Sequence, residues 1–172
     1  AVLKREEGKV HLDGFISYDS EVYTVPYGVI VPKEINNLLF PVPVSGSHIG
    51  FSTLRMEPCW MAMGEAAGVA ASLSINNKVS VRDIDISQLQ DRLISEKATL
   101  IYFKDMDIDS PDFKMVQYMG LRGYLPEWNA NLDGSIDELS RSEWGIMSGV
   151  RIPENMEQRK EILYHIYTEI SK

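Results

Sequence analysis

Cysteine is nearly absent: Cys59 is the only one in 172 residues. A lone cysteine excludes a disulfide within the chain, so the redox state of the compartment cannot be inferred. Nor does any apolar run reach the roughly 18 residues that a membrane-spanning helix needs. Residues 61–75 come nearest, but they include Glu65 and many small side chains. We therefore expect no membrane span, and the compartment stays open, export from a bacterial cell included.

Positive charge is also scarce. The chain has 17 Lys and Arg against 25 Asp and Glu, which gives a net charge of -8. Without a basic stripe to neutralise phosphates, nucleic acid is excluded as a partner. Three scattered histidines do not have the spacing of a metal site. Asp105, Asp107 and Asp109 alternate as in a calcium loop, but the glycine and closing glutamate of an EF-hand are missing. We therefore predict no metal.

Two motifs that would carry chemistry are absent. The sequence has no G-x-G-x-x-G, the turn that holds a dinucleotide pyrophosphate at a helix N-terminus. It has no G-x-S-x-G, so a hydrolase nucleophile elbow is not supported. The chain by itself thus lacks the standard start of a dinucleotide-binding unit.

The most informative stretch is residues 38–74. It predicts a buried strand over 38–44, a Ser/Gly/His loop and a helix over 58–75 that is rich in small residues. Within that helix Gly64, Ala67, Gly68 and Ala71 share one face. Such a face lets a backbone or a flat ligand approach closely, although each glycine costs the helix up to ~1 kcal/mol.

The remaining pattern predicts an α+β fold with a boundary near residues 76–81. Further strands are expected over 10–18 and 23–31, with a turn at 32–37. The second part, 79–172, is expected to be mostly helical. Its predicted helices cover residues 87–97 with Ser87 as N-cap, 110–121 with Ser110 as N-cap, 137–147, and a last helix that starts at Pro153.

Residues 23–74 resemble the C-terminal part of a family of FAD-dependent oxidoreductases, whose members often carry the label "putative xanthan lyase". The matching stretches, in order, are PYGVIVP (26–32), NLL (37–39), SGSH (45–48), STLRMEP (52–58) and GEAAGVAA (64–71). The resemblance implies FAD as cofactor of the full-length protein. It also implies a hydride transfer from a small or sugar-like substrate to the flavin.

The resemblance also implies site residues. Arg55 and the helix N-terminus would stabilise negative charge on the flavin pyrimidine edge; the alternative is a surface pair of Arg55 with Glu57. His48 would be the catalytic acid or base; the alternative is a loop imidazole bonded to a backbone carbonyl. The cofactor-binding residues implied are Ser45, Ser52, Arg55, Met56, Glu57, Gly64 and Gly68.

Because the Rossmann motif is missing and the chain starts at Ala1 without a methionine, we expect a C-terminal fragment. On this interpretation residues 1–78 end a flavin-binding domain, and the missing N-terminal Rossmann portion is the partner. The fragment alone would lack FAD and be inactive.

Two alternative interpretations of the function stay open. One is a carbohydrate-active protein, either a polysaccharide lyase using His48, Tyr27 and Arg55 or a wall-binding module; the other is a purely structural fragment.

The second part has a resemblance of its own. Residues 109–143 look like one degenerate S-layer-homology module, with SPDF (110–113), GLRGYLP (120–126) and SRSE (140–143) at the matching places. Such modules bind wall polymers in sets of three. Since only one copy is present, we expect a helical appendage that packs on the flavoprotein body.

Overall fold

The computed structural model describes residues 21–171. These residues form a 3₁₀ turn and six α-helices: turn Tyr27–Ile30, α1 His48–Leu54, α2 Glu57–Asn77, α3 Ile86–Ser95, α4 Phe113–Leu121, α5 Glu138–Ser148 and α6 Arg159–Ile170. Within this range the strand-like pairing is limited to one isolated antiparallel bridge, Ser135 to Gln158. The expected α+β class is therefore wrong for the described part of the chain, which is helical.

The strand predicted over residues 38–44 is wrong because its prolines prevent a ladder. The N–H groups of Phe40 and Ser45 each donate to a carbonyl of the 3₁₀ turn at 2.8 Å. Between them stand Pro41 and Pro43, which have no N–H to donate. Two isolated hydrogen bonds thus tie this segment to its neighbour, and no strand forms.

The strand predicted over residues 23–31 is wrong for a related reason. Pro26 precedes a tight turn, Tyr27–Ile30, in which the N–H of Val29 donates to the Pro26 carbonyl at 3.1 Å. The β-rich composition of this segment reflects burial of Ile30, not pairing. The remaining predicted strand, 10–18, lies outside the described residues.

The loop expected at residues 45–50 turns into a helix at His48. Ser47 is its N-cap, since its Oγ accepts the N–H of Gly50 at 3.0 Å. The following small-residue helix is confirmed, and α2 extends the predicted range 58–75 by one residue at the start and two at the end. Lys78 ends it in the left-handed conformation, at φ 56°.

Helices α3 and α5 confirm the predicted elements, with one change of N-cap. Asp85 rather than Ser87 caps α3, because its carboxylate accepts the Ser87 N–H at 2.8 Å. The helix predicted to start at Asp137 is confirmed. Asp137 is its N-cap, because the Asp137 carboxylate accepts the Ser140 N–H at 2.9 Å.

Helices α4 and α6 are confirmed as elements, but both begin later than predicted. Ser110 opens a turn before α4, in which the Phe113 N–H donates to the Ser110 carbonyl at 3.1 Å. Pro153 likewise opens a turn rather than α6. The Arg141 guanidinium donates to the carbonyls of Pro153 and Met156, so this segment is held against α5 and the helix starts only at Arg159.

Three buried clusters hold the helices together. One joins α1 and the start of α2 to the segment before them, and a second joins α2 to α3 through Ala70, Leu89 and Leu93. The third and largest packs α4 and α6 with the loops around them. The second cluster spans the expected boundary near residue 78, and the division into 1–78 and 79–172 stays a prediction.

Candidate functional site

Helix α1 brings three of the expected polar residues onto one face. His48, Ser52 and Arg55 follow at spacings of four and three, which places them on the same side of the helix and its C-cap. All three are exposed. The residues that the resemblance singles out therefore form one continuous polar strip at the surface.

The contacts of this strip are few. The Ser52 hydroxyl donates to the Ile49 carbonyl at 2.5 Å, so it serves the helix backbone. Within residues 21–171, His48 has no hydrogen bond to a carbonyl, and Arg55 has no ion pair with Glu57. Both side chains are thus available to a group outside the described part of the chain. Ser45 lies just before the strip and is also exposed.

The start of α2 offers fewer backbone donors than expected. The N–H of Arg55 is used, because it donates to the Phe51 carbonyl at 3.1 Å as α1 ends. The N–H groups of Met56 and Glu57 make no hydrogen bond with other described residues, and Met56 caps the helix without a side-chain bond. Two of the three expected donors are therefore free.

The two glycines of α2 lie on an open surface. Apart from the neighbouring residues and the local helix backbone, no atom of the described residues lies within 4 Å of where a Cβ of Gly64 or Gly68 would stand. Exposed apolar side chains border them: Met61 is 75% exposed and Ile75 is 76% exposed. Ala67, which was expected on the same bare face, is buried in the core, so the described residues leave only the part around the two glycines uncovered. We call the surface formed by Met61, Gly64, Gly68 and Ile75 the glycine face.

Trp60 is a residue that sequence reasoning missed. Its indole Nε1 is buried and has no hydrogen-bond partner among the described residues. Trp60 and Gly64 are four residues apart, so they lie on the same side of α2. A buried donor without an acceptor is costly. The signal was the i,i+4 spacing of a tryptophan and a glycine at the start of the helix.

An apolar cavity of about 490 Å³ lies on the other side of α2, toward α3. Its α2 residues are Cys59, Ala62, Met63 and Ala66, and burial raises the pKa of the Cys59 thiol. None of the expected site residues lines this cavity. The cavity is therefore separate from the polar strip and from the glycine face.

Tyr27 lines the same cavity. Its hydroxyl donates to the Val81 carbonyl at 2.7 Å, and burial raises its pKa. The hydroxyl that the lyase alternative needs is thus engaged in a structural contact that ties the N-terminal segment to the start of the second part.

The described residues limit the possible chemistry further. They contain no group of three or more His, Cys, Asp or Glu side chains arranged to hold a metal ion. Among the helices of residues 21–171, none combines the length and the apolar character that a bilayer span requires.

Comparison with protein families identifies the chain. The model of the FAD dependent oxidoreductase family matches residues 4–93, which are 90 of the 172 residues. The chain belongs to this family. The match covers the 3₁₀ turn, α1, α2 and most of α3, and it ends before α4. Comparison with curated proteins and with solved structures gives no match.

The residues of this family member fit one side of a flavin. A flavin edge offers ring oxygens and nitrogens that accept hydrogen bonds, and it becomes more negative on reduction. Among residues 21–171, the Arg55 guanidinium has no ion pair, the N–H groups of Met56 and Glu57 have no acceptor, and the buried Trp60 Nε1 has none either. A pyrophosphate cradle is not found among these residues, so the fit is to the ring end of FAD alone.

Proposed function

We propose that this chain provides one wall of an FAD site, and that a Rossmann portion of the same protein provides the rest. When bound, FAD supplies the redox chemistry by accepting a hydride from a small or sugar-like substrate. The observation that carries the proposal is the pairing of an uncovered glycine face with an orphaned Trp60 Nε1 on the same helix. Neither feature is given a partner by the described residues.

Arg55 is proposed to stabilise the reduced cofactor. Its guanidinium is exposed and unpaired among the described residues, directly before the first turn of α2. The free N–H groups of Met56 and Glu57 add the positive end of the helix. Negative charge that develops at the flavin pyrimidine edge is stabilised by such fixed positive groups.

His48 is proposed to act on the substrate. It lies one turn from Ser52 and two turns from Arg55 on the same face, and its imidazole has no partner among the described residues. A neutral imidazole can take the proton from a C–OH group as the hydride leaves the carbon. Ser45 is proposed to bind an oxygen atom of cofactor or substrate nearby. Ser52, whose hydroxyl proton is donated to the Ile49 carbonyl, is proposed to accept a hydrogen bond from a substrate hydroxyl.

The glycine face is proposed to contact the Rossmann portion. Gly64 and Gly68 allow the neighbouring backbone to approach α2 closely, while Met61 and Ile75 bury their side chains in the contact. Residues 79–172 are proposed to form a helical domain that packs on the flavoprotein body. Its likeness to an S-layer-homology module concerns architecture and carries no wall-binding role.

The test compares Arg55→Ala with Arg151→Ala in the full-length protein. Arg151 is also exposed, but it lies in the second part, far along the sequence from the strip. We expect the wild type to be yellow. We expect Arg55→Ala to bind less FAD and to lower the reduction potential of the bound flavin, with Arg151→Ala unchanged. A colourless wild-type protein would contradict the proposal.

A second measurement concerns the 172-residue chain alone. If it provides only one wall, titration with FAD should show no tight, stoichiometric binding in the visible spectrum. Tight one-to-one binding by this chain would show that the Rossmann portion is not needed, and the proposal would then be wrong.

A further inference from the structure

Two exposed aromatic side chains stand together in the second part of the chain. Tyr102 and Trp128 have ring centroids 6.1 Å apart and planes at 82°, so the rings meet edge to face. Both are solvent-exposed, Tyr102 at 46% and Trp128 at 37%. With Tyr23, Thr24 and Glu127 they line a cleft of about 170 Å³. We call this the aromatic cleft.

The other aromatic residues of the second part behave differently. Trp144, Tyr118 and Tyr124 are buried in the largest cluster, and the Trp144 Nε1 donates to the Tyr124 carbonyl at 2.9 Å. Those rings serve the core. Tyr102 and Trp128 differ from them, because these two residues are partly open to solvent and lie outside the largest cluster.

The backbone around the aromatic cleft is fixed by hydrogen bonds. The N–H of Lys104 donates to the Trp128 carbonyl at 2.8 Å. Next to it, the Asp105 carboxylate accepts the N–H groups of Ala130 and Asn131 at 2.7 and 2.8 Å. Three bonds thus join the loop that carries Tyr102 to the loop that carries Trp128. The two rings are held in place before any ligand arrives, which lowers the entropy cost of binding.

The charges around the aromatic cleft restrict its ligand. The Lys104 ammonium lies 5.5 Å from the centre of the Trp128 ring. Lys104 therefore already makes the cation–π contact that a cationic ligand would make with this ring. Glu127 lines the cleft and disfavours an anion. The net charge of -8 disfavours a nucleotide, whose phosphates need basic partners. A neutral ligand with an apolar face and a polar rim remains.

We propose that the aromatic cleft binds one sugar ring of a neutral carbohydrate. The C–H groups on one face of a pyranose are weakly positive and stack on the negative face of an aromatic ring. The hydroxyl groups at its edge can donate to the Glu127 carboxylate and can exchange hydrogen bonds with Thr24 and the tyrosine hydroxyls. This site is independent of the flavin proposal, and its residues lie outside the polar strip.

The test uses the indole N–H signals of the 172-residue chain in a two-dimensional ¹⁵N spectrum. There are three tryptophans, and Trp128→Phe assigns its signal. The probes are maltotriose, cellotriose and triacetylchitotriose, each up to about 10 mM, because single-ring sites bind weakly. We expect at least one probe to shift the Trp128 signal while the signal of buried Trp144 stays in place.

Variants then define the site. Trp128→Ala and Tyr102→Ala should each weaken binding about tenfold, since one lost ring contact is worth about 1.4 kcal/mol. Phe51→Ala is the matched control, because Phe51 is also 37% exposed but does not line the cleft. Tyr102→Ala leaves Trp128 intact, so loss of binding there is not loss of the reporter.

Three results would overturn the inference. The first is the absence of any shift of the Trp128 signal with all three sugars. The second is a shift caused by tetramethylammonium chloride instead, which would indicate an aromatic cage for cations. The third is a shift caused by a proline hexamer instead, which would indicate a site for extended proline-rich peptides.

Discussion

At the scale of single residues, the best-defined polar group is the side chain of Gln117 in α4. It is 1% exposed, and its amide makes three hydrogen bonds to backbone. The oxygen accepts the N–H groups of Leu100 and Ile101 at 2.8 and 3.0 Å, and the nitrogen donates to the Ile101 carbonyl at 2.8 Å. The side chain therefore fixes the segment that leads to the aromatic cleft.

Replacing Gln117 by Leu should strongly destabilise the chain. The free energy of unfolding should fall by about 3 kcal/mol, because each backbone group left without a partner costs about 1–3 kcal/mol. Urea unfolding measures this. The matched control is Gln88→Leu on α3, where an exposed amide loses only one bond to Asn77 and about 0.5 kcal/mol or less is expected. Equal losses would show that Gln117 is not a structural anchor.

Asp137 makes stability depend on pH. Its carboxylate caps α5, and hydrogen bonds from Ser140 hold its pKa below the ordinary value of 3.8. Since the folded pKa is lower than the unfolded one, the contribution is complete above about pH 4 and is lost as pH falls through the folded pKa. The melting-temperature gap between wild type and Asp137→Ala should therefore narrow from neutral pH to about pH 3. A constant gap would contradict this role.

At the scale of elements, the sequence patterns predicted helices well and strands badly. The small residues of α2 and the hydrophobic period of α3 were enough to predict these helices, because the backbone hydrogen bonds of a helix form within the helix itself. The apolar run 38–44 looked like a strand, yet Pro41 and Pro43 remove the donors that a ladder needs. The start of α6 depended on Arg141, a residue distant in sequence, so local signals at Pro153 were misleading.

Glycines of α2 and α4 should respond oppositely to the same change. Gly64→Ala with Gly68→Ala should raise the free energy of unfolding of this chain by about 1–2 kcal/mol in total, since both sites are open and alanine favours helix. Gly120→Ala should lower it by about 1–3 kcal/mol, because its Cβ would stand 2.7 Å from the Phe103 ring. Thermal or urea unfolding of each variant measures these changes in the free energy of unfolding. Destabilisation by the α2 pair would show that the glycine face is already covered.

The candidate site was predictable in part. The resemblance implied His48, Ser52 and Arg55 as site residues, but it did not predict that they share one face, because residues 45–50 were expected to form a loop. Two features were not predictable. The Arg55 N–H donates to the Phe51 carbonyl at the end of α1, a helix that the sequence pattern did not predict. The Trp60 Nε1 is buried without an acceptor among the described residues.

At the scale of the whole molecule, several exposed apolar side chains lie along α1 and α2. Ile49 is 71% exposed and Met56 is 48% exposed, and with the glycine face they extend along both helices. Large exposed apolar patches on a soluble chain mark interaction surfaces. We therefore propose that this side of the molecule contacts the Rossmann portion, whereas the largest core, around α4 and α6, is complete within the chain.

Polar replacements on this surface should reduce self-association of the isolated chain and lower the flavin content of the full-length protein. Met61→Ser with Ile75→Ser should reduce self-association of the 172-residue chain, measured by sedimentation at increasing concentration, because both side chains are about three-quarters exposed. Leu139→Ser, at 69% exposure on α5, is the control, and it should leave flavin content unchanged in the full-length protein. If Met61→Ser with Ile75→Ser leaves the flavin content of the full-length protein unchanged, the contact is elsewhere.

The most direct measurement of the central claim is the flavin content of the full-length protein that carries Gly64→Leu with Gly68→Leu, compared with Ser142→Leu on α5. Leucine fits the open surface of the isolated chain and favours helix, so the 172-residue chain should keep its stability. If the glycine face meets the Rossmann portion beside the flavin, the double variant should purify without FAD, and Ser142→Leu should stay yellow. A double variant with full FAD content would contradict the account.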